Sequence, residues 1–262
     1  MDDSVAEYFL KYIRMHNGVI VITRCILMEL ASQSGYLNPE YVQYMRTINT
    51  YGIDIWVIYE EDLAAIMEVC FNTNAAINSY LIWAVRMLKG PISTITVTLT
   101  QNPILKDAVL KEKGSQTAGL YRRFFKAVRD NKESGDNLGE ELLAICLHIL
   151  SHIPGEPDGK FCIVTDDKGA GGKIDALFKK TALQYRGKKI IIFSTPKLVQ
   201  VLYNEHILND REHIKKILSA GHQGDITVLG TRIYDLKSDV ITMSSDTLTD
   251  LIMTPNGINI TF

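Results

Sequence analysis

The first sixty residues alternate between helical and strand-like spacing of their hydrophobic positions. Apolar side chains three and four residues apart predict a helix over residues 4–15, and continuous apolar runs predict buried strands at 19–22 and 53–58. Between these strands, residues 24–33 and the segment that begins at Pro39 have helical spacing, with Pro in the first helical position. This alternation of helices and strands predicts a parallel α/β sheet.

The middle of the chain is predicted to be mainly helical. Residues 61–90 and 103–130 have apolar positions at helical spacing, and residues 138–151 form a strongly apolar helix. Between the first two segments, residues 92–99 alternate Ile, Val or Leu with Thr, a pattern that favours a strand or another β-rich excursion.

The last third returns to strand and helix alternation and then becomes β-rich. Strands are predicted at 161–165 and 189–193, and helices at 174–184 and 196–204. From about residue 222 onward, Thr, Val, Ile, Asp and Gly dominate, which predicts a small β-rich appendage. The expected fold class is α/β, with a three-layer α/β/α body around a central parallel sheet. The body is expected over residues 1–210 and the β-rich extension over residues 211–262.

Composition and charge are those of an ordinary globular protein. The 262 residues are 46% hydrophobic and 22% charged, and the net charge of −2 gives no global basic field for nucleic acid. The cysteines lack CxxC spacing and lie in apolar runs, so we expect buried free thiols in a reducing compartment: Cys25, Cys70, Cys146 and Cys162. No signal peptide and no apolar run of about 18 residues is visible, so a cytoplasmic protein without membrane spans is expected.

Two adjacent carboxylates follow the apolar run at 161–165 and provide the first candidate chemistry. Asp166 and Asp167 stand where that strand ends, ahead of a glycine-rich turn. Ligands in open α/β sheets collect beyond the carboxyl ends of the strands. Neighbouring carboxylates repel each other, and hard cations such as Mg²⁺ take oxygen ligands. The alternative is a plain Asp-rich turn that caps the next helix.

Other acidic residues occupy similar junctions. In a parallel sheet the strand-to-helix junctions lie on one edge, so carboxylates at the starts of those helices share a rim. Acidic residues at helix starts are also favoured by the helix dipole alone, which is the alternative interpretation. The further positions are Asp2 and Asp3 at the chain start, Glu29 after strand 19–22, and Glu140 beside Glu141 at the start of helix 138–151.

Glu29 is the hardest of these residues to explain as an ordinary surface carboxylate. It lies between Met28 and Leu30 in an otherwise apolar helix. A glutamate is expected in such a place only if it faces solvent or a cation.

The ordered motifs together resemble the PIN-domain nucleases. Over roughly residues 1–205, five segments are similar to that family's motifs: Met1-Asp-Asp-Ser-Val5, Cys25-Ile-Leu-Met-Glu-Leu30, Gly139-Glu-Glu-Leu-Leu-Ala144, Thr165-Asp-Asp-Lys168 and Ile190-Ile-Ile-Phe-Ser-Thr-Pro-Lys-Leu198. Two features depart from the family pattern. Only Met1 precedes the first acid, so the usual first strand is missing or truncated, and residues 62–135 form an inserted helical element.

The resemblance implies a metal-dependent phosphodiesterase that acts on RNA, an endoribonuclease with a toxin or defence nuclease as the expected role. Clustered carboxylates would hold one or two Mg²⁺ or Mn²⁺ ions, and basic or hydroxyl side chains near the rim would bind the RNA backbone. The metal ligands implied are Asp2, Asp3, Glu29, Glu140, Asp166 and Asp167, all but Asp3 also counted as catalytic. The substrate-binding residues implied are Ser4, Thr165, Lys168, Lys173, Arg122 and Arg123. For the two arginines, a solvated helix face is the alternative.

Two further interpretations remain open. The chain could be a non-catalytic PIN-like module that binds RNA or a protein partner, which the lack of the first strand favours. It could also be an unrelated α/β protein, such as a receiver-like phosphoacceptor, for which Thr195-Pro196-Lys197 gives a superficial match but no mid-chain phosphoacceptor strand is present. The expected partners are RNA and, beyond it, a second copy of the chain or an inhibitory protein.

Overall fold

The computed structural model describes the chain in several stretches. Nearly all of the helix predicted over 174–184, together with Asp2, Lys168 and Lys173, lies outside the described residues, and of Asp3 and Ser4 only the backbone is described. The described residues are 3–32, 35–88, 94–111, 119–133, 138–153, 161–167, 169, 171–172, 174, 190–220 and 224–262.

The amino-terminal region follows the predicted alternation. Asn38 caps the third helix, because its side chain accepts a hydrogen bond from Glu40 N at 2.9 Å while Pro39 takes the first helical position. The elements are α1 (Asp3–Met15), β1 (Ile20–Thr23), α2 (Arg24–Ser32), α3 (Pro39–Thr50) and β2 (Ile55–Ile58).

The four predicted strands form two separate pairs. β1 is parallel to β2, with Ile20 opposite Ile55, and β3 (Phe161–Val164) is parallel to β4 (Ile190–Phe193). The parallel direction agrees with the prediction, but among the described residues no strand joins the pairs into the expected central sheet. Residues 3–15 are a helix, and Leu10 in it packs with a small apolar cluster that includes Ile20 and Ile55.

The described middle of the chain is helical, and the β-rich segment predicted over residues 92–99 is wrong for residues 94–99. The described part of that segment belongs to α6 (Thr94–Gln101), in which Thr94, Ile95, Thr98 and Leu99 are buried. Residues three and four apart share a helical face, and here that face buries Thr94 and Thr98 together with Ile95 and Leu99. The alternation therefore did not separate a buried apolar side from an exposed Thr side. The two long predicted helices are each divided, as α4 (Glu60–Cys70) with α5 (Asn74–Leu88), and α7 (Pro103–Lys111) with α8 (Leu120–Asp130).

The main hydrophobic core lies around α9 (Leu138–Leu150), which is buried on nearly every side. Tyr80 of α5 and Phe124 and Phe125 of α8 are its largest fully buried side chains. The described helices between residues 62 and 130 therefore supply much of the core and are not a peripheral addition.

The carboxyl-terminal region contains the predicted β-rich unit together with helices. The elements are α10 (Thr195–Asn204), α11 (Arg211–Ala220), β5 (Ile226–Arg232), β6 (Asp239–Met243), α12 (Ser245–Met253) and β7 (Ile258–Ile260). The sheet is antiparallel, in the order β6-β5-β7, and the core of this region also includes Val5 from α1. The helix α12 was not predicted; Ser244 caps it by accepting a hydrogen bond from Thr247 N at 3.2 Å.

Two further predictions concerned the burial of the cysteine thiols and the absence of membrane-spanning helices. All cysteines are free, and Cys25 and Cys146 are buried as expected. Cys70 is only half-buried and Cys162 is exposed on β3, so the expectation of buried thiols is met in part for Cys70 and is wrong for Cys162. Within the described stretches, none of the helices combines the length and the apolar character that a membrane crossing requires.

Candidate functional site

Glu29 faces a cation, as its sequence context predicted, but that cation is a lysine. Lys132 Nζ lies 2.8 Å from Glu29 Oε1. The Lys132 side chain is only 5% exposed, whereas that of Glu29 is 33% exposed. Lys132 stands in a polar turn that has no motif, so the sequence held no signal for this pair.

The Glu29 carboxylate lies directly against the start of α9. A Cβ placed on Gly139 would be 2.7 Å from Glu29 Oε1 and 2.9 Å from Oε2, so glycine is what allows this close approach. Glu140 is the next residue along the chain. The fold therefore brings the α2 carboxylate to the turn that carries the third predicted acid, at the positive end of the α9 dipole.

The two glutamates at the start of α9 have different surroundings. Glu141 is 1% exposed, and its Oε2 accepts a hydrogen bond from Ile95 N at 3.3 Å, which links α9 to α6. Glu140 Oε2 is buried and has no hydrogen-bond partner within the described residues. A buried carboxylate oxygen without a donor is costly, so a cation bound at Glu140 would be stabilising.

Asp167 has a local hydrogen bond of the kind that the alternative interpretation predicted, whereas Asp166 binds a residue far along the chain. Asp166 accepts from Thr195 N at 2.7 Å and from Thr195 Oγ1 at 2.6 Å, which joins the end of β3 to the start of α10. Asp167 Oδ1 accepts from Gly169 N at 2.7 Å, and Asp167 N donates to Thr165 Oγ1 at 3.2 Å. Both carboxylates thus order the turn in which they lie.

The predicted acids fall into two sets instead of one. Glu29 and Glu140 lie at α9, while Asp166 and Asp167 lie beyond β3. In the stretches that the structure describes, no group of three or more His, Cys, Asp or Glu side chains is placed to share a metal ion. The separation of the strand pairs is the physical reason, because carboxyl ends share one rim only within one sheet.

Arg122 and Arg123 lie on the exposed face of α8. Arg122 Nη2 is 3.7 Å from Glu68 Oε1. One turn further along, Lys126 pairs with Asp130 on the same helix. This face is solvated, as the alternative interpretation predicted.

Residues that sequence reasoning missed lie at the ends of β1 and β2. Arg24 begins α2, and its guanidinium carbon is 4.7 Å from the centre of the Tyr59 ring, while its Nη2 is 2.8 Å from Glu61 Oε2. Arg129 Nη1 reaches the other oxygen of Glu61 at 2.7 Å. Glu61 therefore joins the starts of α2 and α4 to the end of α8. The available signal was the position of Arg24 at the start of the predicted helix 24–33, shortly after the predicted strand 19–22.

A second group of titratable side chains is buried in the core. The Tyr80 hydroxyl lies 2.8 Å from His148 Nδ1, and their rings are stacked with centroids 5.4 Å apart. Burial, with a smaller contribution from the neighbouring His152, lowers the pKa of His148 to about 3. His148 is consequently neutral at physiological pH and belongs to the packing of α5 against α9.

Lys197, the lysine behind the receiver-like alternative, does not contact Asp166. Its Nζ donates to Gln200 Oε1 at 3.2 Å on its own helix.

Comparison of the chain with known protein families, with curated proteins and with solved structures found no match in any of the three.

Proposed function

We propose that the chain is a metal-dependent phosphodiesterase that cleaves RNA, an endoribonuclease with Glu29 and Glu140 at the centre of its site. The observation behind this proposal is the approach of the Glu29 carboxylate to the start of α9, where Glu140 Oε2 is buried without a partner among the described residues. A divalent cation beside these two residues would satisfy that oxygen.

The donor set fits Mg²⁺ or Mn²⁺. Mg²⁺ is held in many enzymes by one or two carboxylates, and waters and substrate phosphates complete its coordination. Glu29 and Glu140 supply oxygen donors of that type, and the partly exposed Glu29 leaves a side open to solvent. When bound, such an ion lowers the pKa of a water ligand and stabilises the charge on the attacked phosphate.

The remaining side chains have supporting roles in this proposal. Lys132 holds Glu29 in place through the hydrogen bond from its Nζ. Asp166 and Asp167, together with Asp2 and Asp3, are further acids from the PIN-like motif set. The residues proposed to bind the RNA backbone are Ser4, Thr165, Lys168, Lys173, Arg122 and Arg123.

The proposal also covers the fold, the cellular location and the partners of the protein. The two parallel strand pairs, in the expected chain order, support a PIN-like three-layer arrangement. We place the protein in the cytoplasm, with RNA as substrate and with a second copy or an inhibitory protein as further partners.

A non-catalytic PIN-like module that binds RNA or a protein is the second candidate. Two contacts favour it. Lys132 Nζ already neutralises Glu29, and both oxygens of Asp166 already accept hydrogen bonds from Thr195. Carboxylates that already have ion-pair or hydrogen-bond partners in the protein gain less stabilisation from a bound metal ion.

A cleavage assay separates the two candidates. Single-stranded and structured RNA are incubated with the protein in Mn²⁺, in Mg²⁺ or in chelator. Glu29→Gln and Glu140→Gln remove charge and keep shape, and Glu212→Gln is the control because this exposed glutamate is on α11. We expect metal-dependent cleavage that both site variants abolish and the control retains. RNA binding without cleavage in every condition would favour the second candidate, and cleavage that survives both site substitutions would place the site elsewhere.

A further inference from the structure

The ring of Phe262 packs against Gly171, in the first helical turn after Asp166 and Asp167. A Cβ placed on Gly171 would lie 2.9 Å from Phe262 Cζ and 3.1 Å from Cε2, so the ring fills the space that a side chain at Gly171 would need. Gly171 is buried, whereas a Cβ on the neighbouring Gly172 would meet nothing within 4 Å. Phe262 therefore occupies the side-chain space of Gly171 but leaves that of Gly172 free.

The carboxyl-terminal sheet holds Phe262 in place. Leu229 N donates to Phe262 O at 2.6 Å, and Phe262 N donates to Leu229 O at 3.1 Å, so the backbone of Phe262 extends the pairing with β5. Gln200 adds a second attachment, because its Nε2 donates to Ile258 O at 2.6 Å and its Oε1 accepts from Ile260 N at 2.9 Å. The ring is thus presented by a rigid element, far along the chain from the turn it contacts.

The turn transmits this contact to Asp167. Gly171 N donates to Asp167 O at 2.8 Å, and Asp167 Oδ1 accepts from Gly169 N at 2.7 Å. Displacement of Gly171 would change the first of these bonds and so the backbone on which the Asp167 carboxylate is carried. Asp166 is held separately by Thr195.

We propose that Phe262 is a positioning residue for Asp167: its ring fixes the helical turn that follows Asp167, and the carboxyl-terminal sheet in this way supports the second of the two sets of predicted acids. The role of Asp167 in RNA cleavage rests on the proposed function. The ordering of the turn by Phe262 does not, and it is measurable without any activity.

Amide hydrogen exchange of the full chain in chelator tests the ordering of the turn. Phe262→Ala and Gly171→Ala should each accelerate exchange in peptides covering residues 166–172 by about tenfold, because local opening is governed by the contacts that close the turn. Gly172→Ala is the matched control and should not accelerate exchange, because its Cβ meets no neighbour and Ala favours the helix. In the Phe262→Ala background, Gly171→Ala should add no acceleration, because the clash is no longer present. Peptides from α10 serve as the internal reference.

Three results would overturn the proposal. The first is unchanged exchange of the turn in Phe262→Ala, and the second is an equal acceleration in the α10 peptides, which means global destabilisation. The third is full additivity of the two substitutions. Phe262→Leu, which keeps an apolar side chain, guards against a poorly folded alanine variant and should give a smaller acceleration in the same peptides.

Cleavage kinetics in Mn²⁺ then connect the turn to the site. Phe262→Ala should lower kcat with KM unchanged, and Phe262→Leu should restore part of kcat. A wild-type protein that cleaves no RNA, together with the expected exchange pattern, would contradict the proposed function and keep the positioning role of Phe262. Normal cleavage kinetics in Phe262→Ala would contradict the role of the turn in catalysis.

Discussion

Replacement of Lys132 by methionine removes the charge that faces Glu29 and keeps most of the side-chain volume. Lys132 Nζ is 2.8 Å from Glu29 Oε1, and the lysine side chain is only 5% exposed. The uncharged thioether would leave Glu29 without this partner, next to Gly139 and Glu140. We expect the metal-free protein to lose stability.

The contacts set the size of this loss. At the observed 2.8 Å, with an effective dielectric constant of about 20, the Coulomb attraction is about 6 kcal/mol. Desolvation of the buried ammonium offsets most of it, and hydrogen bonds between charged groups contribute about 1.5–3 kcal/mol net. Because Glu29 is partly exposed, we expect Lys132→Met to lower the free energy of unfolding by about 2 kcal/mol. For a chain of this size that corresponds to a decrease in Tm of about 4–8 °C.

Thermal unfolding in chelator and in Mn²⁺ is the assay. Lys126→Met is the matched control, because Lys126 pairs with Asp130 on a helix surface with 66% of its side chain exposed, and such pairs contribute little. If Glu29 and Glu140 bind metal, Mn²⁺ should raise the Tm of Lys132→Met more than that of the wild-type protein, because the lysine no longer competes for Glu29. An unchanged or higher Tm in chelator would refute the assigned contribution of the ion pair, and an equal Mn²⁺ shift in both proteins would refute the competition.

Other substitutions test the buried contacts. His148 should make the free energy of unfolding fall as pH drops from about 6.5 toward about 3, because the unfolded chain takes up a proton there while the folded ring stays neutral; urea unfolding of His148→Gln between pH 7 and pH 4 should show a shallower dependence. Tyr80→Phe should cost about 1–3 kcal/mol by removing the hydroxyl that meets that ring. Gly139→Ala should lower the Tm in the presence of Glu29 but not in the Glu29→Ala background, where the clash is gone and Ala favours the helix. Gln200→Leu should cost about 2–4 kcal/mol in urea unfolding by leaving two backbone groups of β7 unpaired, and a loss below about 1 kcal/mol would contradict this.

The local elements were predictable from the sequence because their signals are local. Continuous apolar runs identified β1, β2, β3 and β4, and helical spacing with Pro39 in the first helical position identified α3. The segment at 92–99 was misassigned because an alternation of Thr with apolar residues has the period of a strand. In its described part, packing against the helical core instead buries Thr94 and Thr98 on α6.

The arrangement of the candidate site depended on contacts that no local pattern encodes. Glu29 was identified as unusual from its apolar neighbours, but Lys132 is 103 residues away along the chain and stands in a polar turn. The close approach of Glu29 to Gly139 needed the packing of α2 on α9. The prediction that all the acids share one rim assumed that the four strands form one sheet. The strands form two separate pairs among the described residues, so the acids lie in two places.

Binding of Mn²⁺ to the chelator-treated protein, followed by electron paramagnetic resonance, tests the proposed Glu29 and Glu140 site most directly. The wild-type protein should bind Mn²⁺, Glu29→Gln and Glu140→Gln should each weaken binding by at least about tenfold, and Glu212→Gln should bind as the wild type does. A wild-type protein that binds no Mn²⁺, or site variants that bind as tightly as the wild type, would contradict a metal site at the start of α9.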